Sequence, residues 1–367
     1  MGLEGELRVG LQLNGGRIDR VRITSTRPDV ARAVLQGRSR AEIRSIVPRL
    51  FSICAVSQAA ASDLACAAAA GESPGADTLA RHSADVSAEV VRECAWRTLL
   101  DWPRSIDEQP AAGAVAAARR AAALGGDASA ASDPDTIAAA VFGVSAEDWL
   151  ALRTLSELDR WIDAGATAAA RFIRRVRDDD AAAGVRDRGV RATALLDAAH
   201  DAAAIEELDR AIAGDLDFAH HPLWRDAPAE TGALARQRND PLIDELDRRR
   251  TTRVPARFVA RLRELALLLA GRTQAQVGVR ASAPGNAVAW VENARGLLIH
   301  RVRLDQGRAQ GYAIVAPTDW NFHPAGALAS ALRGEHVHDA AAARRRASRL
   351  VASLDPCVTC RVELDDA

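Results

Sequence analysis

The sequence has no lysine, one methionine and one tyrosine among its 367 residues, and aromatic residues make up only 4%. All strongly basic side chains are arginine. Because alanine is also abundant, the coding bias of a GC-rich genome explains the lack of lysine better than function does. A net charge of -1 gives no basic footprint of the kind that nucleic-acid-binding proteins carry. We therefore expect no nucleic acid partner.

Long apolar runs are also missing. No window of about 18 residues is free of charged side chains, so we expect no membrane span. The first residues lack the basic segment followed by an apolar run that marks a signal peptide. An odd number of cysteines in a large chain argues against a disulfide framework and for a reducing, cytoplasmic setting; they are Cys54, Cys66, Cys94, Cys357 and Cys360.

The composition, 48% hydrophobic and 26% charged, is that of a globular protein. Alternating apolar residues predict a β-hairpin over residues 6–23, turning at Asn14-Gly15-Gly16, with a slip in the alternation at Asp19-Arg20. A second hairpin is predicted over residues 297–315, around Asp305-Gln306-Gly307. The sequence thus predicts an α+β fold, with a mainly helical core and small antiparallel β-hairpins near both ends.

The helical stretches are rich in alanine. Residues 39–70 predict a long helix with a break, and residues 86–101 predict an amphipathic helix that ends at Trp102-Pro103. Residues 146–173 predict one long helix with Ser145 as its N-cap and Gly165 as a possible break.

No segment has the composition of a linker between autonomous domains. We therefore expect a single domain over residues 1–367. It would consist of an N-terminal part (1–102), a helical middle of unassigned role (103–285) and a C-terminal part (286–367).

The stretch with the clearest chemistry is Asp355-Pro356-Cys357-Val358-Thr359-Cys360. Asp is a favoured N-cap and Pro a favoured first helical residue, so the sequence predicts both thiols in the first turn of a helix. A helix N-terminus lowers the pKa of a thiol. One CxxC pair is too small for a structural zinc site, so the pair either has ligand partners elsewhere or is a redox dithiol.

Both ends of the chain resemble the large subunit of nickel-iron hydrogenases. Residues 355–363 match that family's C-terminal DPCxxCxxH, with Glu363 in place of the histidine. Residues 49–58 match its N-terminal RxCGxCxxxH in register around Cys54. In that second motif the first Cys, the Gly and the His are replaced by Phe51, Ser52 and Gln58.

Two further segments support the resemblance. Ala294-Arg295-Gly296 with Leu298 and His300 is similar to the family's PRGxLxH. Residues 312–324, which include Tyr312 and Thr318, are similar to its YxxxxPTxWNxxP. The resemblance covers residues 4–102 and 286–363, and the middle carries no motif of the family.

The resemblance implies a metal site. In the family, the second Cys of each pair bridges nickel and iron, and the first is a terminal nickel ligand. Carried over, Cys54 and Cys360 are the bridging ligands, Cys357 is a terminal ligand, and Phe51 stands where the fourth thiol is lost. The iron of the family carries cyanide and carbon monoxide, and Arg295 and Thr318 match the positions that donate hydrogen bonds to the cyanides.

The departures change the expected function. The chain is short, lacks the final histidine, and has only four residues after Glu363, so little remains for a processing protease to remove. It is most similar to the large-subunit-like accessory proteins of hydrogenase maturation, the HupK/HoxV type. That resemblance implies a non-catalytic scaffold for an iron-cyanide-carbonyl fragment, without nickel. The implied partners are maturation chaperones and the apo large subunit.

Two alternatives stay open: a divergent nickel-iron hydrogenase catalytic subunit, and a metal-free folding partner of the large subunit. Glu363 is either a surface carboxylate or an oxygen ligand in place of the usual histidine. Cys66 and Cys94 lie on apolar helix faces and are expected in the core. Loop histidines without a motif are expected to be solvated; they are His220, His221, His336 and His338.

Overall fold

The computed structural model describes residues 5–26, 31–51, 53–122, 134–184, 193–215, 217–249 and 252–364. Within these ranges the strands are β1 (Glu6–Asn14), β2 (Arg17–Ser25), β3 (Ala194–Leu195), β4 (Ala229–Glu230), β5 (Val277–Ala283), β6 (Asn286–Asn293), β7 (Gly296–Asp305), β8 (Arg308–Val315) and β9 (Thr359–Leu364). The first helices are α1 (Arg40–Leu50), α2 (Ala55–Ala69), α3 (Ala76–Trp96), α4 (Trp102–Ser105), α5 (Ala112–Ala122), α6 (Pro134–Phe142), α7 (Ala146–Leu150) and α8 (Leu155–Ala164). They are followed by α9 (Ala168–Ala182), α10 (Ala202–Gly214), α11 (Ala233–Arg236), α12 (Pro241–Arg249), α13 (Val254–Leu269), α14 (Pro317–Asn321), α15 (Ala327–Leu332) and α16 (Ala340–Leu354).

Short π-helices cover Ala31–Leu35 and Arg97–Asp101. The order of elements confirms the predicted α+β class, with hairpins near both ends. Across the described ranges, no helix combines the length and the apolar character that a membrane crossing needs.

The chain divides into two compact units. The first contains Met1–Ser83, Asp187–Ala235 and Gln276–Ala367, and the second contains Ala84–Arg186 and Arg236–Ala275. The expected helical middle, 103–285, is thus shared between both units. All five residues of the implied metal site belong to the first unit. The expectation of a single domain stays a prediction.

The predicted N-terminal hairpin is present in the first unit. β1 and β2 pair antiparallel, and Leu7, Val9 and Leu11 alternate inward with at most 3% exposure. The pairing skips Asp19, because Gln12 lies opposite Arg20 while Leu13 lies opposite Ile18. This bulge is the slip that the sequence shows. The sheet has a third strand, β9, which pairs parallel with β1 so that Leu7 lies opposite Cys360.

This unit also contains a four-stranded antiparallel sheet in the order β5-β6-β7-β8. It contains the predicted second hairpin, β7-β8, and adds β5, which the sequence does not predict. The alanine-rich helix α2 packs on β5, β6 and β7. Small side chains allow helix and sheet to approach closely, and the shared core includes Leu64, Ala68 and Val302.

The second unit is helical, and it corrects two predictions. The expected single helix over 146–173 is three helices, α7, α8 and α9. Ser145 caps α7 as predicted, but Thr154 and Thr167 cap the next two, and Gly165, at φ +59°, ends α8. Likewise, Trp102-Pro103 does not end the helical run; it begins α4, because Pro is accepted in a first helical turn.

Candidate metal centre

The helix predicted over Cys357 and Cys360 is absent. α16 ends at Leu354, and Asp355 is its C-cap, with φ +51° and its N–H donating to the Val351 carbonyl. Pro356 disfavours helical backbone in the residue before it, so the Asp-Pro pair closes one helix instead of opening another. Cys357 lies in the bend that follows, and Cys360 lies in strand β9.

This placement also changes the expected electrostatics of the pair. Cys360 lies in a strand and not in the first turn of a helix. Burial instead raises the pKa of the Cys360 thiol to about 11. At neutral pH Cys360 is therefore a thiol and not a thiolate.

Thr318 is held against Cys357. Its hydroxyl oxygen lies 3.2 Å from the Cys357 sulfur and accepts a hydrogen bond from the Cys357 backbone N–H at 3.4 Å. Thr318 is 2% exposed and lies in the first turn of α14. The contact fixes the bend that carries Cys357. That Thr318 donates to a cyanide stays a prediction.

Arg295 is the second predicted donor, and it lies in the tight connection between β6 and β7. Its side chain is buried and forms an ion pair with Asp355, Nε to Oδ2 at 3.7 Å. The two motifs therefore meet, since Asp355 is two residues before Cys357.

Buried amides hold the backbone of this connection. The Asn293 side-chain oxygen accepts from the N–H groups of Arg295 at 2.9 Å and Gly296 at 3.2 Å. Asn321 donates to the Arg295 carbonyl at 3.3 Å. Gly296 has φ +132°, and a Cβ there would lie 2.5 Å from Cγ2 of Thr231. Asn293, Asn321 and Thr231 thus hold the backbone at Arg295 and Gly296.

Cys54, the predicted third thiol, is the N-cap residue of α2 and is 7% exposed. Gln58 donates from Nε2 to its sulfur at 3.8 Å. Phe51, in the position of the lost thiol, is half-buried and packs against the apolar core shared by α1, α2 and the four-stranded sheet. Ser52 lies outside the described residues.

Gln58 connects Cys54 to two further buried side chains. Its Oε1 lies 2.8 Å from Nε2 of His300, and Nδ1 of His300 lies 2.8 Å from the Tyr312 hydroxyl. His300 is fully buried, and burial lowers its pKa to about 3. The imidazole is therefore neutral at physiological pH.

The structure brings some of the predicted residues together and leaves others apart. Thr318 touches Cys357, and Arg295 reaches the same segment through Asp355. Among the described residues, however, no three His, Cys, Asp or Glu side chains lie close enough together to hold a metal ion. Metal binding by Cys54, Cys357 and Cys360 stays a prediction.

The expectations for the remaining cysteines and histidines are confirmed. Cys66 and Cys94 are core residues at 1% exposure each, and burial raises the pKa of the Cys66 thiol to about 12. Glu363 lies exposed on β9, and both alternatives for it, surface carboxylate and oxygen ligand, stay open. The histidines expected to be solvated are exposed, namely His220, His221, His336 and His338.

Sequence reasoning missed several residues that shape the site. Gln58 is one helical turn after Cys54, and this i,i+4 spacing is the signal that would have connected them. His300 and Tyr312 belong to the segments that are similar to PRGxLxH and YxxxxPTxWNxxP. Their contact, however, depends on the pairing of β7 with β8. Thr231 carries no sequence signal at all.

Comparison with known proteins gives full-length relatives. The hydrogenase expression/formation protein HoxV of Cupriavidus necator is 32% identical, covering 94% of this chain and 93% of the relative. The protein HupK of Rhizobium leguminosarum, with the same descriptive name, is 31% identical over 95% of this chain and 93% of its own length. The family model for nickel-dependent hydrogenase matches residues 256–363.

Solved structures agree on the fold. The Ni-Fe-Se hydrogenase of Desulfovibrio vulgaris Hildenborough in its reduced state has a TM-score of 0.60 at 14% identity, covering 94% of each chain. The reduced, active Ni-Fe-Se hydrogenase of Desulfomicrobium baculatum has a TM-score of 0.55 at 16% identity, covering 95% of each chain. At these identities the similarity concerns the fold alone, and it confirms the predicted likeness to a hydrogenase large subunit.

Proposed function

The chain belongs to the family of hydrogenase expression/formation proteins that includes HoxV and HupK, and from this premise we propose that it acts in hydrogenase maturation. Its role there is that of a scaffold that holds an iron-cyanide-carbonyl fragment before the fragment enters a nickel-iron hydrogenase large subunit. It is an accessory protein and not itself a hydrogenase. Its partners are the chaperones that deliver iron and the apo large subunit that receives it.

The observation that carries this proposal is Phe51. The chain has a hydrogenase-like fold, but at the position of a nickel-binding thiol it has a half-buried phenyl ring that packs against the core. A phenyl ring offers no lone pair to a metal ion. The two positions that hold iron in the family, as bridging ligands between nickel and iron, are Cys54 and Cys360, and both are still thiols. This selective loss fits a protein that handles iron and does not hold nickel.

In this account Cys54 and Cys360 bind the iron, and Cys357 assists them. Thiolates suit iron as soft ligands. Arg295 presents a planar, permanently charged donor group, which suits a cyanide nitrogen. Thr318 supplies a hydroxyl beside Cys357, at 3.2 Å from the sulfur. When that sulfur binds metal, the same hydroxyl proton can turn to a diatomic ligand.

The number of thiols fits a carrier. Three thiol ligands hold a cargo less tightly than four, so the site can release it. All five cysteines lie in the described ranges and none forms a disulfide, which supports a reducing cytoplasmic location.

The test uses full-length protein purified anaerobically from cells that express the other maturation factors. Metal content and the infrared spectrum in the cyanide and carbonyl region are recorded for the wild type and for Cys360→Ala. Cys94→Ala, a buried cysteine of the second unit, is the matched control.

We expect iron and diatomic bands in the wild type and in Cys94→Ala, their loss in Cys360→Ala, and no nickel. Stoichiometric nickel beside iron would replace the proposal with a catalytic subunit. Absence of both metals and of the bands in repeated preparations would replace it with a metal-free folding partner.

A further inference from the structure

Helix α2 carries a buried stripe that includes two polar side chains, Gln58 and Ser62, which its alanine-rich composition does not require. Four side chains follow one another at four-residue spacing on this face, each at most 7% exposed: Cys54, Gln58, Ser62 and Cys66. Residues four apart share a helix face. An alanine at such a position packs without penalty, whereas a buried polar group costs free energy unless it is hydrogen-bonded. The polar residues therefore call for a reason beyond packing.

The contacts of Gln58 give the stripe a direction. An amide oxygen only accepts hydrogen bonds, so the 2.8 Å contact of Gln58 Oε1 makes His300 Nε2 the donor. A neutral imidazole has one N–H, so Nδ1 is then the acceptor. The Tyr312 hydroxyl, 2.8 Å from Nδ1, must donate. Each hydrogen bond in the series thus points toward the next residue, and the last one ends on the Cys54 sulfur.

The geometry assigns Gln58 as a positioning residue for Cys54, with its amide N–H held toward the sulfur by His300 and Tyr312. This inference rests on the proposed function, in which Cys54 is a ligand of iron. We call Gln58, His300 and Tyr312 the amide relay. The Cys54 sulfur accepts one hydrogen bond from the Gln58 amide. The S–H bond of Cys54 therefore points away from Gln58.

The relay couples the amide orientation to the tautomer of His300. A glutamine amide fits its site in two orientations that exchange oxygen and nitrogen. In the reversed orientation the amide N–H₂ would donate to Nε2 of His300, Nδ1–H would donate to the Tyr312 hydroxyl, and the amide oxygen would face the Cys54 sulfur. The tautomer of His300 on β7, in contact with Tyr312 on β8, therefore reports which way the amide points. Outer groups of this kind orient metal ligands, and their loss typically costs about 10- to 100-fold in metal affinity.

The experiment uses the full-length protein without added maturation factors and Co²⁺ alone as the probe. Thiolate-to-cobalt absorption measures affinity in the wild type and in Cys54→Ala, Gln58→Leu, Gln58→Glu and Tyr312→Phe. Cys66→Ser is the matched control, because it changes a thiol on the same face of α2 two turns beyond Gln58. Nitrogen NMR of histidine-labelled, metal-free protein reads the tautomer of His300, and circular dichroism confirms that each variant is folded.

We expect cobalt binding that depends on Cys54, an affinity loss of about tenfold or more in both Gln58 variants, and wild-type affinity in Cys66→Ser. We expect the Nε2–H tautomer of His300 in the wild type and a mixture in Tyr312→Phe. Cobalt binding that depends on Cys54 but is unchanged in Gln58→Leu overturns the inference and leaves the proposed function standing. The Nδ1–H tautomer in the wild type also overturns the inference alone. Cobalt binding that is unaffected by Cys54→Ala overturns the role of Cys54 in the proposed function, and the inference with it.

Discussion

Asp355→Asn tests how the segments that carry Arg295 and Cys357 are joined. Asp355 and Arg295 form a buried ion pair with an Nε to Oδ2 distance of 3.7 Å, and their side chains are 7% and 3% exposed. At 3.7 Å and an effective dielectric constant of about 20, the attraction between unit charges is about 4.5 kcal/mol. Asparagine keeps the side-chain shape and accepts the left-handed backbone at φ +51°.

The substitution therefore removes the charge and little else. Asparagine still offers hydrogen bonds to its neighbours, so we expect a loss in the free energy of unfolding of about 3 kcal/mol, at the lower end for breaking a buried pair. Urea denaturation followed by circular dichroism measures it. Asp244→Asn, which breaks the exposed pair with Arg248, is the control and should leave the denaturation midpoint unchanged.

A double-mutant cycle makes this prediction refutable. Arg295→Gln combined with Asp355→Asn removes both charges. The double variant should therefore lose less free energy of unfolding than the sum of the losses in the two single variants. A coupling energy near zero, or a loss below about 1 kcal/mol in Asp355→Asn, would show that the pair does not connect the segments.

Three further predictions concern the same unit. Thr318→Val should increase the rate at which iodoacetamide alkylates Cys357, because the contacts at 3.2 Å and 3.4 Å hold the bend; Thr318→Ser should keep the wild-type rate, and equal rates in all three proteins would contradict this role. Gly296→Ala should cost about 3 kcal/mol of stability, because φ is +132° and the new Cβ would lie 2.5 Å from Thr231. Gly113→Ala, where a Cβ would meet nothing within 4 Å, should cost nothing, and a comparable loss at both sites would refute the steric argument. His300 has a folded-state pKa of about 3, below its unfolded value of about 6.5, so its contribution to the free energy of unfolding is complete above pH 6.5 and is lost as the pH falls toward 3. Lowering the pH from 7.5 to 5.5 should therefore reduce the free energy of unfolding by about 1.4 kcal/mol on account of His300, as measured by urea denaturation. The variant His300→Gln should lack this decrease, and an equal decrease in variant and wild type would contradict the burial of a neutral imidazole.

The sequence located the thiol segments but misjudged the structure around one of them. An Asp-Pro pair fits a helix N-terminus, and it also fits the end of a helix, since asparagine and aspartate tolerate left-handed backbone. In the structure the preceding helix, α16, continues to Leu354 with Asp355 as its C-cap, and strand β9 begins at Thr359. Local propensity could not decide between these outcomes, because parallel pairing of β9 with β1 joins residues more than 350 positions apart.

Other parts were predictable to different degrees. The β1-β2 hairpin follows from the alternation of apolar residues and a glycine turn, and its bulge at Asp19 follows from the slip in that alternation. Thr154 with Glu157 forms a capping box, so the start of α8 was readable from residue spacing although it was not predicted. The amide relay could not be read in the same way, because His300 approaches Gln58 only when α2 packs on β7.

The most direct test of the carrier role is transfer of the cargo. The full-length protein is loaded with isotopically labelled iron in cells that express the maturation factors, purified anaerobically, and mixed with the apo large subunit in the presence of a chelator that captures free iron. The account predicts that the label and the cyanide and carbonyl bands move to the large subunit, and that Cys360→Ala protein delivers neither. Label that stays on this chain, or that appears only in the chelator, would contradict the account.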